Sequence, residues 1–320
     1  MGAGAAAVDE TVARVRAWEG LPVRVSPLAG GLSHHIYRVA AAGETFVLRI
    51  LDPAVAEVGL GFPPADEIAN TRRAEGVGAR VVEALGDEAI VLEFLPGRTL
   101  SATDIPGRTG PIAAACRRLH SGPRFVTDFD IFAKREELLG VCARHGLPLP
   151  PGYTDHTTTV ARIRDALAVA PLPSVPCHND LLAENFVESP SGEVRIIDYQ
   201  LAGNNDPAFE LGDIAAEADL DPDGVERLAS AYFGSEHHAA LLARVRLFLV
   251  ASNVTWTLWF TVHSGLLSRG GDFDYAGEAA DKWDRAVRDL TSPGLGHLLD
   301  TVAGHRPAAP PPAVTPLPPR

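Results

Sequence analysis

Residues 178–198 open with His178-Asn-Asp-Leu-Leu-Ala-Glu-Asn185 and continue through Phe186-Val187 and Ser189-Pro-Ser-Gly192 to Val194-Arg-Ile-Ile-Asp198. The apolar pairs Phe186-Val187 and Ile196-Ile197 flank a Ser/Pro/Gly turn. That pattern predicts a short hairpin. Its open end would bring Asn185 together with Asp198, thirteen residues further along.

Three oxygen-bearing side chains at that spacing suit one chemistry. The Asp180 carboxylate can take or orient a hydroxyl proton, while the Asn185 amide oxygen and the Asp198 carboxylate can hold Mg²⁺ against phosphates. The text H-x-D-x-x-x-x-N followed by a second aspartate fits the catalytic loop and metal site of kinase-type phosphoryl transfer. His178 then reads as a hydrogen-bonding brace of the loop rather than a base.

Working outward, the chain divides into two unlike parts. Before Leu95-Pro-Gly-Arg98, β-branched and aromatic residues alternate with polar ones, and three strands are expected between Val23 and Ile50, then two more at 80–85 and 89–94. A helix is expected at 8–19 and another at 66–75, with 51–63 as loop. Beyond the Pro-Gly break, helical spacing predicts helices near 108–121, 131–145, 155–168, 207–218, 222–233, 236–267 and 274–289.

The expectation is an α+β, bilobal, protein-kinase-like fold. Its N-terminal antiparallel sheet lobe (1–97) carries one main helix and binds nucleotide, and its larger helical C-terminal lobe (98–305) carries catalysis and the acceptor. Residues 306–320, RPAAPPPAVTPLPPR, hold seven prolines and read as an extended, solvated tail whose partner the sequence leaves unknown.

Composition narrows the function classes. The chain has 320 residues, 46% hydrophobic, with a net charge of −13, enough for a real core and the wrong sign for a nucleic-acid binder. Residues 247–267 lack charge over nearly a bilayer's thickness, but seven polar residues interrupt them, so a buried helix is expected and stable membrane insertion is not. Cys116, Cys142 and Cys177 form no CxxC pair, which points to a reducing, cytoplasmic setting. The first ten residues offer no basic n-region, so the chain is expected to start near Met1.

With the catalytic loop read this way, the text CHNDLLAENF…IIDYQLAGNNDPAFELGD resembles the choline/ethanolamine kinase branch of the aminoglycoside-phosphotransferase-like kinases. Asn179 carries part of that resemblance, because the aminoglycoside enzymes usually have glycine there. The likeness extends from Leu28 to about Ala286. It implies an ATP-dependent phosphotransferase acting on a small cationic alcohol, choline first and ethanolamine second. Thiamine or an aminoglycoside are the alternative acceptors, and a nucleotide-binding pseudokinase is the non-enzyme alternative.

The resemblance also implies roles for other residues. Leu28-Ala-Gly30-Gly31-Leu-Ser33 is similar to the turn over the ATP phosphates. Arg49, in Phe-Val-Leu-Arg-Ile, stands where protein kinases place a lysine, and the chain's two lysines, Lys134 and Lys282, lie elsewhere. Its planar fork can engage two phosphate oxygens. Glu67 is the expected partner that orients it, with Glu57 second.

On the acceptor side, Trp256 and Trp259 are three residues apart on one predicted helix face. They read either as core or as walls of a cage whose π-faces attract a quaternary ammonium. Tyr275, in Asp272-Phe-Asp-Tyr275-Ala, is the expected third wall. Asp213 and Glu217, one turn apart, would face either a cationic substrate or the catalytic loop. Glu210 stands where the family commonly has aspartate, and no tyrosine follows Glu217 closely, two departures that bear on the pocket.

Overall fold

The computed structural model describes residues 2–28, 33–268 and 273–305, with side chains from Val8 onward. The expectations for Gly30, Gly31 and the tail 306–320 therefore lie outside the described residues.

The N-terminal part is built on strands β1 (Val23–Pro27), β2 (His35–Ala41), β3 (Glu44–Ile50), β4 (Val81–Leu85) and β5 (Ala89–Glu93). They form an antiparallel sheet of order β1-β2-β3-β5-β4. The β2–β3 turn uses Ala42 and Gly43, both at positive φ, as a two-residue hairpin of matching twist requires. The strand period of two separates the faces. Leu48, Val39 and Val91 pack under Trp18 and Val15 on one side, while Ile90 joins Leu51 and Ile68 on the other. Arg49, next to Leu48, belongs to that second side.

Three helices accompany the sheet: α1 (Gly2–Ala13), α2 (Pro53–Glu57) and α3 (Pro64–Arg73). The 8–19 helix thus lies earlier than expected, with a separate 3₁₀ turn at Arg16–Trp18. Residues 53–57, expected as loop, are helical because Asp52 caps Ala54 N at 2.9 Å and Pro53 occupies the first position. Asn70 of α3 is fully buried and binds the Ala202 carbonyl and Val126 N, which fastens α3 to the helical part.

Past the two-residue strand β6 (Arg98–Thr99) come α4 (Thr109–His120), α5 (Ile131–His145) and α6 (Thr157–Ala168). The strands β7 (Val175–Cys177), β8 (Phe186–Glu188), β9 (Val194–Ile196) and β10 (Gly203–Asn205) follow. The chain then runs through α7 (Pro207–Glu217), α8 (Pro222–Phe233), α9 (Ala239–Leu266), α10 (Tyr275–Leu290) and α11 (Leu295–Gly304). The last helix, α11, was not anticipated.

Helix α9 is the axis of the core. By length and composition it could cross a membrane, yet 78% of its most apolar window is buried inside the protein. At Gly212 helix α7 meets it backbone to backbone: a Cβ there would lie 2.7 Å from Leu249 N and Val245 O. Only glycine permits that approach, and it brings Asp213 beside Ser252 and Trp256.

Candidate active site

The predicted hairpin forms, with Phe186 paired to Ile196 and Ile197 N bound to the Asn185 carbonyl at 2.9 Å. Asn185 and Asp198 therefore flank its open end. Asn185 donates Nδ2 to the Asp180 carbonyl at 2.7 Å, which leaves Oδ1 as its oxygen for a cation. Hard oxygen donors from an amide and a carboxylate fit Mg²⁺.

The loop is held in an unusual backbone. Asn179 and Asp198 sit at φ 67° and 72°, the left-handed region that non-glycine residues rarely adopt. Asn179 is held there by its Nδ2, which donates to the carbonyls of Leu201 and Gly203 at 3.0 and 3.1 Å, and by Asn205 donating to its Oδ1. His178 Nδ1 accepts from Asp180 N and its Nε2 therefore donates to the Ile197 carbonyl, tying the two aspartate segments together. Burial lowers the His178 pKa, in keeping with a neutral brace.

Two buried acids anchor the loop from below. Glu210 accepts His178 N and Asn179 N, each at 2.8 Å, and its Oε1 lies 3.4 Å from His120 Nε2. Burial alone would raise this carboxyl; the hydrogen bond and charge of His120, with those of His178, hold it lowered. Asp213 accepts Leu181 N at 2.8 Å through Oδ2, and Ser252 Oγ and Trp256 Nε1 at 2.8 and 2.6 Å through Oδ1. Burial and the nearby Glu217 carboxylate push Asp213 up. Asp213 thus faces the 178–185 loop, and both its oxygens are engaged within the protein.

Asp180 is half-buried, and its carboxyl is pushed well up by burial and by Asp213, Glu217 and Asp198, with Lys282 opposing. Across the cleft, Arg49 Nη2 lies 2.5 Å from Asp198 Oδ1 and 3.4 Å from Glu67 Oε1. Asp198 is therefore the closer partner, and Glu57 is not among the ion pairs of Arg49. Glu67 also faces His34 Nε2 at 3.4 Å. Gln200 donates to Leu60 O and Ser33 Oγ, and its Oε1 is 3.5 Å from Arg49, so Ser33 is drawn to this junction.

The aromatics divide into two groups. Trp256 packs 6.3 Å from Phe129 and gives its N–H to Asp213, whereas Trp259 gives its N–H to the Leu60 carbonyl. Trp259 stacks on His263, which stacks on Tyr275 with centroids 3.8 Å apart. Both tryptophans are at most 6% exposed and belong to the core.

Sequence reasoning missed Glu210 as an anchor, together with His120, Gln200 and Lys282. Only Glu210 left a signal, through its place in the Asn205–Asp213 segment.

An antiparallel sheet seated on a helical body, with this loop at the junction, defines a kinase-like phosphotransferase fold. A family model described as a phosphotransferase enzyme family matches residues 24–248, and the chain belongs to that family. Protein LicA of Haemophilus influenzae is 30% identical over 36% of this chain and 44% of its own length. Ethanolamine kinase 2 of Rattus norvegicus is 31% identical over 36% of this chain and 34% of its length. The matches thus span less than half of these curated relatives. A choline/ethanolamine kinase family protein from Mesorhizobium loti superposes with TM-score 0.80 at 28% identity, covering 94% of this chain and 99% of that one. Choline kinase LicA from Streptococcus pneumoniae shares the fold at TM-score 0.75 and 20% identity, over 90% and 98%. The kinase-like fold and the choline/ethanolamine kinase resemblance expected from the sequence are borne out.

Proposed function

We propose that this protein transfers the γ-phosphoryl group of ATP to the hydroxyl of a cationic amino alcohol, choline first and ethanolamine second. The observation that carries the reading is the convergence of Asp180, Asn185 and Asp198 at one hairpin mouth, with Arg49 facing Asp198 at 2.5 Å. In this account Asp180 orients or deprotonates the acceptor hydroxyl, and its raised pKa suits a group that receives a proton. Asn185 and Asp198 would hold Mg²⁺, which neutralises phosphate charge when bound. Arg49 grips phosphate oxygens, fixed by Glu67 and by Gln200, and Gly30, Gly31 and Ser33 are assigned to the ATP phosphates on the family resemblance alone.

The acceptor side is formed by Trp256, Trp259, Tyr275 and Glu217, with Asp213 holding Trp256 in place. Indole faces attract a desolvated ammonium by about 0.5–2 kcal/mol each. His178 and Asn179 support the loop. Catalysis is then positioning and charge neutralisation.

The test is ADP release with ATP and Mg²⁺ against choline, ethanolamine, thiamine, kanamycin and homoserine. Turnover that depends on choline or ethanolamine supports the reading. Turnover confined to kanamycin or thiamine overturns the acceptor assignment, and none with any acceptor overturns the activity.

A further inference from the structure

Lys282 of α10 has no exposed surface, and its ammonium lies 2.6 Å from Glu217 Oε1 at the end of α7. Burying an ammonium is costly, and one ion pair rarely makes the burial favourable. No hydrogen bond of good geometry from Nζ occurs among the described residues. The cation nonetheless sits among acids: it pairs with Glu217 and acts on Asp180 together with Asp213 and Asp198. Glu217 lies one helical turn beyond Asp213, and Lys282 and Glu217 both act electrostatically on Asp180. Glu217 is only 14% exposed, so without Lys282 its carboxylate would be mostly out of water and without that partner.

Resting on the acceptor reading above, we propose that Lys282 is a positioning residue for the acceptor pocket, holding Glu217 at the pocket wall from behind. A carboxylate fixed this way offers its remaining oxygen to the acceptor's cationic head in one geometry. Released, Glu217 swings toward water or shifts α7, and the acceptor loses its counter-charge. The nucleotide side, built on Arg49, Asn185 and Asp198, does not depend on this pair.

The experiment compares Lys282→Met, Lys282→Arg, Glu217→Gln and the double variant Lys282→Met/Glu217→Gln in the full chain. Each is measured for acceptor KM, ATP KM, acceptor-free ATP hydrolysis and melting temperature. The expected result is a rise of tenfold or more in acceptor KM for Lys282→Met, with ATP KM within twofold. Recovery in Lys282→Arg is expected, and the double variant should be no worse than Glu217→Gln alone. Three results would overturn the proposal: parallel losses in both substrates with lowered melting temperature, additive effects in the double variant, or an acceptor KM that falls when the cation is removed. If the wild type uses none of the amino alcohols, the acceptor reading fails first. Choline and ethanolamine titrations followed by tryptophan fluorescence then decide this proposal separately: equal affinity in wild type and Lys282→Met, or none in either, overturns it.

Discussion

The Trp256 indole N–H and the Leu181 backbone N–H share one carboxylate, that of Asp213, at 2.6 and 2.8 Å. A wall of the proposed acceptor pocket and the residue after Asp180 are thereby set relative to each other by a single side chain. Asp213→Asn keeps the volume but turns one acceptor oxygen into a donor, which must face an N–H or O–H. The expected outcome is a loss of about 1–3 kcal/mol in stability. With it, kcat should fall about 10²-fold as Asp180 is misplaced. Denaturant melts and steady-state kinetics check both.

Gly212 makes that arrangement reachable, because it lets α7 lie directly on the backbone of α9. Gly212→Ala places a methyl 2.7 Å from Leu249 N and Val245 O, atoms that cannot yield without moving a helix. Overpacking of this kind costs roughly 1–3 kcal/mol. Melting temperature should fall, and acceptor KM should rise more than ATP KM.

Asn179 offers an internally controlled comparison. Asn179→Gly and Asn179→Ala both delete the bonds to the Leu201 and Gly203 carbonyls. Only alanine must additionally hold φ near 67° against its Cβ, a penalty of about 1–2 kcal/mol. The glycine variant should therefore be the more stable of the two by about that amount. Equal stabilities in urea titration would contradict this.

Two groups, His178 and Glu210, withdraw stability in stages on the acid side of neutrality, against Asp180 and Asp213, whose raised carboxyls favour the native state as pH falls. His178 has a folded pKa below its usual 6.5, so as pH falls past 6.5 the unfolded chain takes up a proton first and the native state loses stability. Glu210 has a folded pKa below its usual 4.5, so its contribution is present above 4.5 and is lost as pH falls below it. His178→Asn should flatten the upper stage and leave the lower one. Denaturation midpoints measured from pH 8 to about pH 3 for the wild type and His178→Asn give the answer.

Linear patterns carried much of this architecture. The hairpin 186–196, the meander of β1, β2 and β3, and the buried apolar helix α9 follow from periods of 2 and 3.6 along the chain. The proposed catalytic triplet was legible for the same reason, since Asp180, Asn185 and Asp198 sit at fixed offsets around one hairpin. What escaped was set by contacts distant in sequence. Glu210 meets His178 across 32 residues, Gln200 meets Ser33 across 167, and Lys282 meets Glu217 between different helices. No local pattern encodes such pairs. The short helix at Pro53–Glu57 was within reach, because Asp52-Pro53 is a start signal.

The most direct test of the account is Asp180→Asn, which preserves shape and removes the proposed proton acceptor. Acceptor-dependent ADP formation and ATP affinity are measured on the variant and the wild type in parallel. The account predicts a fall in kcat of roughly 10²–10⁴-fold with nucleotide affinity unchanged within about twofold. Turnover comparable to the wild type would contradict the role of Asp180 and, with it, the central claim.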